Sequence, residues 1–171
     1  MNTKIDKHQK AALLRDSVYA ANDGVITTFA VVAGALGASL SNEVVIILGF
    51  SNLVADGISM ASGNYLGVKS EVNYENSKSN HSKPSKHALL TFFFFVLAGF
   101  IPLFPFLINT PNSFYLSCFM VAVALFLIGV VRSYFTDKHW IRGGFEVLAI
   151  GGGASIVAYG IGYLIEYYIL R

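Results

Sequence analysis

Apolar residues along this chain gather into five stretches, at about residues 18–40, 44–66, 88–108, 114–131 and 145–165, separated by polar segments. A helix rises about 1.5 Å per residue, so roughly 20 apolar residues cross the ~30 Å hydrocarbon core of a bilayer. The third and fifth stretches are the plainest. The fourth is near the lower length limit, and acids interrupt the first two. Residues 1–16 are polar, with no apolar signal-peptide core. The pattern predicts a cytoplasmic N-terminal segment, 1–16, and a single all-α transmembrane domain of five helices, 17–171. Residues 3–14 have two readings, a short amphipathic helix on the membrane or a frayed tail.

Charge fixes the orientation. Lys4, Lys7, Lys10 and Arg15 precede the first span. Lys69, Lys78, Lys83 and Lys86 lie between the second and third, and Arg132, Lys138 and Arg142 between the fourth and fifth. Five crossings put these eleven basic residues on one side and only Arg171 on the other. Cytoplasmic loops carry the excess of Lys and Arg, so the N-terminus is expected in the cytoplasm. The outer connections, 41–43 and 109–113, are short, and Pro111 with its neighbouring Asn residues is turn chemistry. The inner loop 72–87 reads as a flexible polar linker.

Composition removes most other classes. Of 171 residues, 54% are hydrophobic and 13% charged, against about 25% charged in a soluble domain. The expected surroundings are therefore membrane lipid. The single cysteine, Cys118, excludes an internal disulfide and a multi-cysteine zinc site. A net charge of +2 implies no nucleic-acid partner. His8, His81, His87 and His139 fall in the tail and loops without paired metal-ligand spacing. No phosphate-binding or dinucleotide-binding pattern is present. Neither an enzyme nor a bound cofactor is expected.

The informative residues are the acids inside the spans, because a charge at the bilayer centre costs about 2.5–3.5 kcal/mol on insertion scales. Asp56 falls near the middle of the second stretch. Asn52, Asp56, Met60 and Asn64 recur at four-residue steps, on one helix face. A column of carboxylate and amide oxygens with a thioether suits a divalent transition metal better than Na⁺, Ca²⁺ or Mg²⁺. The competing reading is a packing face with Met60 as filler. Asp23, in Asn22-Asp-Gly24, either caps a span beginning at Val25 or lies inside a longer helix. Starting at Val25 leaves about 24 Å of helix, too short to cross, which favours the second reading. Glu146, after Gly143-Gly144, opens the fifth span. It either stabilises the helix start and pairs with Arg142, or relays protons or metal. Glu71 and Glu75 mark the inner end of the second span, as cation collectors or as solvated charges. Ala30/Gly34/Ala38 and Ser59/Gly63/Gly67 form small-residue stripes of the kind that let membrane helices approach closely. Gly151-Gly152-Gly153 permits close backbone contact or a local break.

These residues bring a family into view. Arg15-Asp16, Asp23-Gly-Val-Ile-Thr-Thr-Phe-Ala-Val-Val-Ala-Gly34 and Ala55-Asp-Gly-Ile-Ser-Met60 closely resemble the first two spans of the vacuolar iron transporter family, which includes nodulin-like members. Ala88-Leu-Leu-Thr91, Gly99-Phe-Ile-Pro102, Gly144-Phe-Glu-Val-Leu148, Gly151-Gly152 and Ala158-Tyr-Gly-Ile-Gly162 extend the match along the chain. The resemblance implies a homodimer of five-span subunits that exports Fe²⁺ or Mn²⁺ from the cytosol in exchange for protons. It implies a path between the subunits, using the first-span acid and second-span methionine that match Asp23 and Met60. The chain departs from iron-carrying members in having Asn52 and Asn64 where Glu is common. Neither amide brings a charge or carries a proton. The Glu-rich cytosolic metal-binding insertion between spans two and three is replaced by the short linker, which makes Mn²⁺ as plausible a cargo as Fe²⁺.

The function expected is proton-coupled export of Fe²⁺ or Mn²⁺ for metal homeostasis and detoxification. The metal site would be Asp23, Asp56, Met60 and Asn52, with Glu71 and Glu146 as proton or metal relays. The membrane would be the plasma membrane of a prokaryote or the vacuolar membrane of a eukaryote. Two other functions fit the same pattern, a non-transporting scaffold or accessory subunit and a proton-coupled carrier of another substrate.

Overall fold

The structure, a computed structural model, describes residues 2–75, 83–136 and 139–170, with side chains described for 9–74, 83–136 and 139–169. It is helical throughout. In chain order the helices are α1 (Asn2–Gly37), α2 (Asn42–Glu75), α3 (Pro84–Gly99), the single turn α4 (Phe104–Leu107), α5 (Ser113–Phe135) and α6 (Trp140–Ile165), which runs into one π-helical turn, Glu166–Leu170. Helices α1, α2, α5 and α6 are each long and apolar enough to cross a membrane. The expected third span is built in two pieces, α3 and α4.

Several boundaries differ from the hydropathy pattern, for local reasons. No Pro or Gly interrupts residues 2–23, so α1 runs unbroken through the polar N-terminal segment instead of starting a separate element at the membrane. Asn22-Asp23-Gly24 caps nothing, and Asp23 lies inside the helix. Likewise α2 continues nine residues past position 66, to Glu75. At 34 residues it is about 51 Å long, well beyond the hydrocarbon thickness. The middle of the inner linker, 76–82, lies outside the described residues. Helix α6 starts at Trp140, so Gly143-Gly144 sits within its first turns and Glu146 in its second. The triple glycine 151–153 does not break it.

The third span breaks where Pro102 and Pro105 remove two backbone donors. Irregular backbone at membrane depth needs partners from the protein itself, and α5 supplies them. Ser117 Oγ donates to the Pro102 carbonyl at 2.8 Å and Ser113 Oγ to the Pro105 carbonyl at 3.0 Å. On the outer connections, Ser39 and Asn109 adopt left-handed backbone, with φ of 55° and 48°.

Helix α1 is the centre of the bundle and packs against α2, α3, α5 and α6. Ala20, Val25, Phe29 and Val32 on it are buried, with Val45 and Leu53 of α2, Phe95 of α3, Leu103 and Phe106 near α4, and Leu125 of α5. The outer faces carry Ile47, Phe93, Phe119, Ile156 and Tyr168, all exposed, a surface suited to lipid. Lipid tails are as apolar as leucine, so packing in a membrane relies on close contact rather than on removing apolar surface from water. Two glycine crossings provide it. A methyl group at Gly24 would overlap the Phe95 backbone, locking α1 onto α3, and one at Gly162 would overlap that of Gly34, locking α6 onto α1. The Ala30/Gly34/Ala38 stripe is thus spent inside the subunit. The stripe on α2 is not: Ser59, Gly63 and Gly67 are exposed, and nothing lies within 4 Å of a methyl group built at either glycine.

Candidate metal path

Helices α1 and α2 run side by side and bring the two intramembrane acids together. Asp23 and Asp56 are both half-buried, and Asp23 feels the charge of Asp56 directly. Thr27 Oγ1, one turn on, donates to the Asp23 backbone carbonyl at 2.9 Å and leaves the carboxylate unengaged. Among the described residues no lysine or arginine forms an ion pair with either acid. The two acids therefore stand on adjacent helices of an apolar bundle, with no basic partner among the described residues. Gly57, next to Asp56, lets α2 lie against the rings of Phe92 and Phe95.

The α2 column divides into three parts. Asn52 presents a buried Nδ2 without a hydrogen-bond partner. Met60 packs against the hydrophobic core and also lines a cavity of about 520 Å³ with Arg15, Asp16, Gly63, Asn64 and Glu71. Asn64 turns its amide to α1 and α3, donating to Asp16 Oδ2 at 3.1 Å and to Thr91 Oγ1 at 2.6 Å. The cavity reaches from exposed Glu71, at the end rich in basic residues, to Met60, one turn short of Asp56.

Glu146 is elsewhere. It pairs with Arg132 at 3.4 Å across α5 and α6, and both side chains are well exposed. The expected partner, Arg142, is not the one it uses. Starting α6 five residues early puts Glu146 on the face toward α5. It lines no part of the Met60 cavity.

One cluster has no counterpart among the expected residues. His87, read from the sequence as a loop residue, lies in the first turns of α3 and is 3% exposed. Its Nδ1 is 2.6 Å from Asp16 Oδ2. Asp16 itself is 6% exposed, and its Oδ1 accepts from Arg15 Nε at 3.1 Å and Nη2 at 3.0 Å. Two spacings hint at this cluster. Asp16 lies two helical turns before Asp23 on one face of α1, and His87 lies one turn before buried Thr91 on α3. Neither spacing shows that the two faces meet.

A family model described as the VIT family matches residues 14–83 and 75–163, its two parts meeting in the α2–α3 connection. The chain is similar to vacuolar iron transporter 1 of Arabidopsis thaliana, 24% identical over 225 aligned positions that cover 95% of this chain and 90% of that protein. It is similar to the vacuolar iron transporter of Toxoplasma gondii, 22% identical over 87% of this chain and 73% of that one. Both alignments run well beyond this chain's 171 residues. It is also similar to vacuolar iron transporter homolog 3 of Arabidopsis thaliana, 26% identical over 173 positions, 94% of this chain and 86% of that one.

Proposed function

This chain belongs to the VIT family, and we propose that it carries divalent transition metal ions, Fe²⁺ or Mn²⁺, out of the cytosol in exchange for protons. The observation that carries this reading is the placement of Asp23 and Asp56, two half-buried acids on adjacent membrane helices with no lysine or arginine paired to either among the described residues. Two such charges in a poorly solvating bundle are stabilised by whatever positive charge reaches them. One divalent cation neutralises both, and so do two protons. A site that alternates between these occupants exchanges metal for protons.

Each neighbouring residue has a part in this scheme. Met60, on the wall of the cavity one turn away, offers a thioether that favours Fe²⁺ or Mn²⁺ over Mg²⁺ and Ca²⁺. Asn52 adds an uncharged ligand on the far side of Asp56. Glu71 gathers cations at the cavity mouth. Glu146, held in a surface ion pair, has no part in the path. The subunit works as a homodimer in which the unpartnered small-residue face of α2 meets its copy, which places the Asp56–Met60 column beside the subunit boundary. The membrane is one that bounds the cytosol, the vacuolar membrane in a eukaryotic cell.

The test is metal uptake into proteoliposomes of the purified protein, with Fe²⁺ kept reduced or with Mn²⁺, in the presence and absence of a pH gradient. Gradient-dependent flux that Asp56→Asn abolishes, in a variant with unchanged elution and melting, is the expected result. Wild-type flux in that variant, or none from folded wild-type protein, overturns the reading and leaves a scaffold or another substrate.

A further inference from the structure

The carboxylate of Asp16 is fully occupied. An ionised carboxyl group has about four acceptor positions, and here four N–H groups reach it: two from Arg15, one from Asn64 and one from His87. These donors come from three helices. Arg15 is on α1 beside Asp16, Asn64 on α2 and His87 on α3, so the group ties the basic ends of α1, α2 and α3 together. Arg15, Asp16, Asn64 and Thr91 also line the cavity that leads to Met60. The tie is therefore part of the cavity wall, between Glu71 at the mouth and Met60 at depth.

Only one of the donors belongs to a residue type that can switch between a neutral and a charged form near neutral pH. Arginine stays charged and an amide stays neutral, whereas histidine titrates between about pH 5 and 8. An imidazolium makes a charge-assisted hydrogen bond to a carboxylate, roughly twice as strong as a neutral one. The pair is buried on both sides, so the difference is not dissipated by solvent.

We propose that His87 is a positioning residue of the transport cycle, which through Asp16 holds α3 against α1 at the mouth of the Met60 cavity when protonated and relaxes that hold when neutral. This inference rests on the metal-transport reading above and names its control. Charged and titratable groups around the pair are Arg15 and Tyr19 on α1, Glu71 on α2, and the exposed Lys83 and Lys86 earlier on α3; Asn64 and Thr91 are the uncharged neighbours. Arg15 bonds Asp16 through two N–H groups that do not depend on His87, which favours the ionised carboxylate. Raising the pH on the cytosolic side opens the mouth, and lowering it closes the mouth.

The test is the initial rate of metal flux against cytosolic-side pH, with the opposite side held constant, for wild type and His87→Asn. Asparagine places an amide N–H close to where Nδ1 stands and does not titrate. The wild-type rate is expected to rise at least about threefold between pH 5.5 and 7.5, and the variant's rate less than about 1.5-fold. A wild-type profile in the folded variant overturns the inference. A second measurement needs neither that variant nor any flux. In a Cys118→Ser background, cytosolic thiol labelling of Met60→Cys is compared with labelling of Glu71→Cys at each pH, which cancels the thiol's own reactivity. The ratio is expected to be at least about threefold higher at pH 7.5 than at pH 5.5. An unchanged ratio rejects the gate even if transport is confirmed, and a changed ratio in protein without flux rejects the transport reading while keeping the gate.

Discussion

Gly162 of α6 lies so close to the backbone of Gly34 of α1 that a methyl group has no place between them. The obstruction is backbone, which does not yield as a side chain does. Gly162→Ala is expected to destabilise the protein by about 1–3 kcal/mol, the usual range for overpacking. Gly160→Ala, two residues away and facing open space, is the matched control and should leave the melting temperature in detergent unchanged. Equal melting of the two variants would show that the α1–α6 crossing is looser than described.

Met60 and Asp56 have separable duties in the proposed path. Met60→Leu keeps the packing volume and removes the sulfur, and such swaps usually cost less than about 1.5 kcal/mol. The variant should fold normally and still move metal, but lose discrimination between Fe²⁺ or Mn²⁺ and Mg²⁺ by about tenfold in competition assays, since the softer ligand favours the transition metals. Unchanged selectivity would return Met60 to the role of core filler.

Glu146→Gln separates a surface ion pair from a relay. The pair with Arg132 is 3.4 Å long and well exposed, the class that contributes about 0–1 kcal/mol. Melting and pH-dependent flux are both expected to stay near wild type. A large loss of flux would put Glu146 back on the path.

Subunit pairing through α2 is tested at Gly63. A leucine there meets nothing within the subunit, so Gly63→Leu should leave the helical content intact and shift the protein from dimer to monomer in light scattering. A dimer that persists would move the contact off this face.

Ser39 closes α1 with φ at 55°, a region that costs a residue with a side chain about 1–2 kcal/mol. Ser39→Gly removes that cost, offset in part by greater freedom in the unfolded chain. A gain of up to about 1 kcal/mol is expected, read as a higher melting temperature with flux unaltered.

The sequence and the structure agree where a single helix carries the signal. Asp56 and Met60 share a stripe on α2, and their neighbourhood is legible from four-residue spacing alone. Asp23 inside α1 follows from length, because a helix starting at Val25 does not cross. The ends of α1 and α2 are harder to read, since the polar turns beyond the membrane carry no hydropathy contrast. The break at Pro102 is absent from the hydropathy, which shows the third stretch as one of the two plainest, and the serines that make the break tolerable stand on another helix, at Ser113 and Ser117. His87 and Asp16 are 71 positions apart, and only the packing of α3 on α1 brings them together. Local pattern reports what one helix presents, whereas partners across helices depend on register and crossing point.

The two glycine crossings have a mechanical consequence for α1. Gly24 clamps the helix to α3 and Gly34 clamps it to α6, both in its outer half. The N-terminal length, from Asn2 to the Gly24 clamp, has no joint. It is one continuous beam, with Asp23 beside the Gly24 clamp and the Asp16–His87 tie two turns before it. The carboxylate of the tie and the acid deeper in the bundle thus share one unbroken helix.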